Sequence, residues 1–543
     1  MSPRPDPTTE RWDAVVIGAG MSVATAAALL AARGYRVVVV ERDQHAGGCA
    51  ASFEQDGYAF AVGATVGMGL EPGGVVRRVY DRLGIAPRYT PVDPAIRVLV
   101  GDRVVDLHAD REAWATEVER AFPGQERAKR AFWAEVAQLA RGLAHAAERF
   151  PVMPFADPRD VLDTAAAAHP SLLPVLLKLR HSVADLLDAH GVDDPAHRAF
   201  VDGQLVDAMQ TTADDCAAPN GALALDVYRR GAQYVHGGLR GLAEDFLDVV
   251  RRNGGSVRFA TRARGILVDD RRRVAGVATR SGELRAPVVI STVPLANTAA
   301  LVGDDVRTRL HARARSHATH WGPFMLYLGV DERALPAGVR PFLQVTDVPA
   351  DGGPTPVHDG GNLLISISPA FDAGRAPAGK RAVTVSTHVD AASWLAVAER
   401  PADYAAAKER MTERLLGQME RLLPDLRSGL DVVMAGTPRT FERYTRRAGG
   451  TAGGFPQTVA NANFAAPSHR TDIDGLFLAG DTVFPGQGTL GVTLSGFNAA
   501  RSAGRRLERG VGRRLARSVG WRLRPVQLPA RGRPSVETQE VNA

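Results

Sequence analysis

Cysteine is scarce in this chain: Cys49 and Cys216 are the only two among 543 residues. They allow neither a disulfide framework nor a C-x-x-C redox pair, which suits a reducing cytosol and excludes a thiol relay. Long apolar runs are missing as well. No uninterrupted stretch approaches the roughly 18 residues that argue for a membrane span, and the opening MSPRPDPTTERW has no apolar segment of the signal-peptide kind. The expectation is a cytoplasmic protein that is neither secreted nor membrane-spanning. Net positive charge is absent from most of the chain too. The formal net charge is +6, yet residues 501–543 alone hold eleven arginines against Glu508, Glu537 and Glu540, a local +8, so the remainder is slightly acidic. This excludes a basic nucleic-acid-binding body. The tail has two readings. Leu507, Val511, Leu515, Val519 and Leu523, with Trp521 beside them, recur at a spacing that lays an arginine-flanked stripe on the inner face of a membrane; the other reading is an ordinary final helix followed by a solvated basic end.

What is present is a β-α-β unit over residues 13–48, around which the rest is organised. Residues 14–17 form a short β-branched run that ends at Gly18-Ala19-Gly20, the alanine-rich residues 21–33 follow, Gly34 stops them, and residues 36–40 form a second β-branched run ending in Glu41. In such a unit the glycines let the backbone approach a pyrophosphate, and the helix start at Met21 and Ser22 offers free N–H groups. An acid ending the second strand accepts ribose hydroxyls, and Glu41, followed by Arg42, stands 23 residues after Gly18. The third glycine of G-x-G-x-x-G is replaced by Val23, a packing position, so the helix is expected to sit slightly further out without losing a phosphate contact. The reading is a Rossmann-type dinucleotide site.

Gly47-Gly48 closes a second turn, and residues 54–69 form an aromatic-rich, glycine-spaced hairpin through Val62-Gly63-Ala64. Near the other end, residues 474–507 read as a strand, a Gly480-Asp481 turn, the run FPGQG, and a helix from Gly491. A carboxylate at a strand end can bond sugar-like hydroxyls, and a helix N-terminus favours developing negative charge, so Asp481 and the Gly491-Val492 helix start suit the ribityl chain and the N1/O2 edge of a flavin. These motifs resemble the flavin-dependent carotenoid desaturase and carotenoid isomerase family. The resemblance implies FAD as cofactor, with Gly48 and Cys49 along it, Gly63 and Ala64 near the isoalloxazine ring, and the backbone of Ala263 at the adenine. The family usually has an aspartate where this chain has Ala61.

The resemblance also implies an architecture: an α/β fold in which a Rossmann-type FAD-binding domain of the amine oxidase and GDI-like two-domain kind carries a discontinuous α+β substrate domain. The FAD-binding domain is expected at residues 1–86, 215–298 and 431–509, and the substrate domain at residues 87–214, as helices, and 299–430, leaving 510–543 as the basic tail. Residues 172–187 are the most apolar part of the helical insert and read either as the lining of a route for a greasy substrate or as core. His388 lies in a strand, where a lone histidine is more often packed or exposed than catalytic. The implied function is an FAD-dependent oxidoreductase acting on a long apolar polyene, a carotenoid or related isoprenoid taken from a membrane. It would desaturate it by hydride transfer to flavin N5 or isomerise its double bonds. No His–Asp or Cys–His arrangement is readable, so the catalytic chemistry is assigned to the flavin. The lack of a second G-x-G-x-x-G after a strand excludes a separate nicotinamide site, and electrons are expected to leave through oxygen, a quinone or another diffusible acceptor. The alternatives are a flavin amine oxidase-like enzyme and a non-catalytic GDI-like lipid or prenyl carrier.

Overall fold

The computed structural model describes residues 9–155, 158–165, 168–350, 355 and 357–510. The tail beyond Gly510, and with it most of the proposed membrane stripe, lies outside the described residues. Leu507, the stripe's first member, is buried in the core of the FAD-binding half.

Val37–Val40 is four consecutive valines, and such a run is stable only with both faces covered. It occupies an interior position of a five-stranded parallel sheet in the order Ser256–Arg258, Val37–Val40, Ala14–Ile17, Val289–Ser291, Leu476–Leu478. One face is covered by the helix Met21–Ala31, flanked by Arg240–Arg252 and Gly488–Gly510. The other is covered by a four-stranded sheet of Thr9–Arg11, Gly282–Arg285, Val274–Thr279 and Ala263–Val268. All eleven residues of Met21–Ala31 are buried, and its small side chains let two other helices come close. The closest approach is made by Gly496, where a Cβ would stand 2.2 Å from the carbonyl oxygen of Ser22. Gly496 thus lets the closing helix pack tightly on Met21–Ala31, and Val23, which stands in place of the third glycine, is fully buried.

A seven-stranded sheet forms the second half, in the order Leu430–Gly436, Trp321–Asp331, Lys380–Asp390, Asn362–Ile367, Phe342–Thr346, Arg97–Val100, Arg103–Asp106. Its pairs are antiparallel except Phe342–Thr346 with Arg97–Val100. Two expectations change here. The segment 87–214 is not wholly helical: Tyr89–Val92, Arg97–Val100 and Arg103–Asp106 are strands, the latter two joined by a two-residue turn at Gly101 with φ +58°. Segment boundaries also shift. Leu430–Gly436 belongs to this sheet and carries it past residue 430, whereas Ala299, Val302 and Leu310 pack in the FAD-binding half. Helices Glu126–Ala147, Pro195–Met209 and Ala218–Asp226 build a core against one end of the sheet.

Candidate functional site

The strand Ala14–Ile17 delivers Gly18 to Gly20 at its carboxyl end. Gly18 has φ +101°, and a Cβ there would stand 2.9 Å from Thr292 Oγ1, so both backbone and space require glycine. Gly20 is the N-cap of Met21–Ala31 and supplies no side-chain cap, and no acid stands in the first turn. The leading N–H groups at Met21 and Ser22 therefore face the cavity that these residues line. The second turn is stitched to the first: Gly47 N donates to the carbonyl of Ala19 at 2.9 Å. Gly47 has φ +119°, and a Cβ on it would meet Ala51 Cα at 2.6 Å. Glu41 closes the groove, with Oε2 accepting from Ala19 N at 2.7 Å and Oε1 from Asp43 N at 2.8 Å. Burial pushes its carboxyl pKa up, although these two amides oppose the shift.

Cys49, Gly63 and Ala64 follow the groove, with Ala64 N donating to the carbonyl of Cys49 at 3.1 Å. Ala263 opens the strand Ala263–Val268, and Arg42 reaches Asp43 and the carbonyl of Tyr444. Gly480, at φ +119°, donates from its amide to Ser495 Oγ at 2.9 Å and positions Asp481. The closing helix starts at Gly488, three residues earlier than its sequence suggests, so Gly491 and Val492 lie at the end of its first turn rather than at its tip. Gly18, Gly20, Met21, Ser22, Glu41, Arg42, Gly48, Cys49, Gly63, Ala64, Ala263, Gly480, Asp481, Gly491 and Val492 all line one cavity of about 960 Å³.

A functional residue not singled out from the sequence is Arg447. Its guanidinium is almost fully buried and pairs with Asp481 at 3.0 Å, while donating to the carbonyls of Thr451 at 3.0 Å and Gly453 at 2.8 Å and to Cys49 Sγ at 3.6 Å. The Asp481 carboxylate raises its pKa further, against the opposing effect of burial. In sequence Arg446-Arg447 is indistinguishable from a surface arginine pair, and only the fold reveals the partner 34 residues later. Among the described residues that line the groove, Arg447 is the only buried arginine or lysine.

Beyond the groove the same cavity continues between apolar helices. Leu172, Val175, Leu176 and Leu179 line it, whereas Val183, Leu186 and Leu187 are core, so the apolar stretch at 172–187 serves both ends named for it. Phe155, Leu176 and Phe464 line the cavity and are also 40%, 56% and 49% exposed, which marks its mouth. Leu162, Leu173 and Leu177 extend the exposed apolar surface on the helices Pro158–Ala165 and Leu172–Leu177. His388 also lines the cavity rather than being simply packed or exposed. Among the described residues no helix is long and apolar enough to cross a membrane, and no metal-binding cluster is found.

The residues present fit FAD. Two facing glycine turns leave a cradle that Cβ atoms would fill, an uncapped helix start faces it, and carboxylates stand at both strand ends. Comparison with known proteins agrees. The family model described as flavin containing amine oxidoreductase matches residues 20–503. The chloroplastic prolycopene isomerase of Daucus carota is 24% identical over 506 residues, covering 91% of this chain and 80% of that protein. The all-trans-retinol 13,14-reductase of Danio rerio is 24% identical over 510 residues, covering 87% of this chain and 82% of that protein. Among solved structures, wild-type putrescine oxidase bound to putrescine superposes with a TM-score of 0.59 at 15% identity, covering 92% of this chain and 99% of that one, a likeness of fold.

Proposed function

The chain belongs to the flavin-containing amine oxidoreductase family and is an FAD-dependent oxidoreductase, and on that premise we propose that it acts on a long apolar polyene, isomerising its double bonds or desaturating it. The observation that carries this reading is the single cavity that runs from the glycine turns to a mouth rimmed by exposed Phe155, Leu176 and Phe464. A polar substrate gains nothing from such a rim, whereas a long hydrocarbon leaving a lipid phase keeps apolar contact throughout its passage. Membrane-peripheral placement on this face is part of the proposal. The relatives support the same class: one is named as an isomerase of prolycopene, the other as a reductase of all-trans-retinol.

When bound, FAD supplies hydride acceptance and donation at a carbon centre. The chain's own residues bind and orient. The amides at Met21 and Ser22 would meet the pyrophosphate, Glu41 would serve the ribose, and the Arg447–Asp481 pair would hold the ribityl end. The helices around Leu172–Leu177 exclude water along the substrate's length. The family is one of enzymes, so the non-catalytic carrier reading is dropped.

The test is product analysis without oxygen. The FAD-loaded protein, with flavin oxidised in one sample and reduced in the other, receives an acyclic carotenoid precursor in liposomes, and the pigments are separated by chromatography. A product of unchanged mass and altered geometry establishes isomerisation, and one lighter by a pair of hydrogens establishes desaturation. Recovery of the starting polyene from both samples overturns the proposal.

A further inference from the structure

Inside the substrate half of the cavity stands a carboxyl group that the flavin-centred account leaves without a role. Asp207 sits on the helix Pro195–Met209, facing the seven-stranded sheet. Its Oδ2 accepts from Gln344 Nε2 at 2.9 Å and from Asn362 Nδ2 at 3.2 Å, side chains of two adjacent strands. Its Oδ1 accepts no hydrogen bond among the described residues, and His388 Nδ1 lies 3.7 Å from it. His388 Nε2 lies 3.0 Å from the Gln210 side-chain amide, so that ring nitrogen is engaged there while Nδ1 faces Asp207. Both side chains keep about a fifth of their surface accessible, 20% and 17%, and both line the cavity.

The pair is tied to the cofactor groove. Gln487, just before the closing helix, donates from Nε2 to the backbone carbonyl of Asp207 at 2.9 Å. The amide of Gln210 packs against Gly453, whose carbonyl is held by Arg447, the partner of Asp481. Thus Asp207 stands where the apolar channel meets the flavin-binding half.

Making a double bond removes a hydride from one carbon and a proton from its neighbour. Bound FAD would supply hydride acceptance, and the proton needs a base that water cannot replace in an apolar channel. Resting on the polyene reading, we propose that Asp207 is the proton-exchanging group of this cavity. In desaturation its carboxylate takes the proton from the carbon adjacent to the one losing hydride, as the C–H electron pair becomes the new π bond and oxidised FAD becomes reduced. In isomerisation its acid form adds a proton to one end of a conjugated double bond and takes one back after rotation, with no net change in atoms or electrons. His388 orients the free oxygen and is a positioning residue.

The surroundings suit the role. Gln344, Asn362, Gln204 and Gln487 are neutral, the Tyr228 phenol is pushed up by burial and by Asp207 itself, and no lysine or arginine among the described residues pairs with the carboxyl. Burial pushes Asp207 up to about 7 while the Asn362 and Gln344 hydrogen bonds oppose it, and burial holds His388 down to about 4. Both forms of the acid are then present near neutrality.

Two measurements test this on the FAD-loaded full chain. Infrared difference spectra between acid and alkaline buffer should show a buried carboxylic acid band with a midpoint near pH 7, lost in Asp207→Asn. With an acyclic polyene in liposomes made up in heavy water, the wild type should place solvent deuterium on the polyene, and Asp207→Asn should slow this by about 10²–10⁴-fold while keeping flavin content and a cooperative melt. His388→Gln, which is independent of how well the asparagine variant folds, should displace the infrared midpoint. An infrared midpoint in the ordinary carboxylate range, or deuterium uptake at the wild-type rate in folded Asp207→Asn, overturns the assignment while leaving the polyene reading intact. A wild type that turns over no polyene overturns that reading, and the proton-exchange proposal with it.

Discussion

Arg447 Nη2 lies 3.0 Å from Asp481 Oδ2, and both side chains are withdrawn from solvent. Removing one partner of such a pair leaves the other as an uncompensated buried charge, a loss of about 3–5 kcal/mol. Arg447→Ala is therefore expected to lower the midpoint of urea unfolding and to release FAD on desalting. Full flavin retention with wild-type stability would show that the pair holds neither the fold nor the cofactor.

Two glycines in helices should respond oppositely to alanine. At Gly496 a Cβ would press on the Ser22 carbonyl at 2.2 Å, and Ser22 lines the cofactor groove, so Gly496→Ala should destabilise by about 1–3 kcal/mol and weaken FAD binding. At Gly417, inside Pro401–Glu420, a Cβ meets nothing within 4 Å, and Gly417→Ala should stabilise by about 0.5–1 kcal/mol without touching flavin content. Thermal melts with flavin absorbance as a second signal separate the two.

The cavity mouth gives a third prediction. Leu177 is 70% exposed and Leu173 is 61% exposed, and neither lines the channel, so Leu173→Ser with Leu177→Ser should change stability by no more than about 0.5 kcal/mol per site. Co-flotation with liposomes and the rate on liposome-borne polyene should both fall, while the rate on detergent-dispersed polyene should hold. Equal loss in both media would move the defect from membrane contact to the channel itself.

These variants separate what local sequence carries from what it does not. The cofactor groove was legible because each part is a short-range device: a β-branched run, a glycine forced by φ +101° at Gly18, a helix start, and Glu41 at the next strand end. The strands at Val274–Thr279 and Leu476–Leu478 announced themselves in the same way. The hairpin Arg97–Val100 and Arg103–Asp106 carried a readable signal, a β-branched alternation broken at Gly101-Asp102, that the helical composition around it obscured. Arg447 and Asp207 carried none. Each acquires its character from residues far along the chain, Asp481 in one case and Gln344, Asn362 and His388 in the other, and only tertiary packing brings them together.

A fourth prediction follows from linkage at Asp207. Its pKa is raised from 3.8 to about 7, so the folded state holds this proton more tightly than the unfolded state between those values, and the stabilisation present at low pH is lost as pH rises through about 7. The wild type should therefore lose up to roughly 4 kcal/mol relative to Asp207→Asn between pH 4 and pH 8. His388, held down to about 4 by burial, contributes with the opposite sign, at the acid end of this range. Urea unfolding of the pair at the two pH values reads the difference directly, and parallel stability curves would contradict it.

The most direct test of the substrate class is photometric. The FAD-loaded protein is placed under anaerobic conditions with oxidised flavin and offered a long acyclic polyene in liposomes or, separately, an aliphatic diamine, while the visible flavin band is followed. A channel lined by Leu172, Val175, Leu176 and Leu179 predicts that the polyene perturbs or bleaches the band and the diamine leaves it unchanged. Bleaching by the diamine, with no response to the polyene, would contradict the account and return the enzyme to amine oxidation.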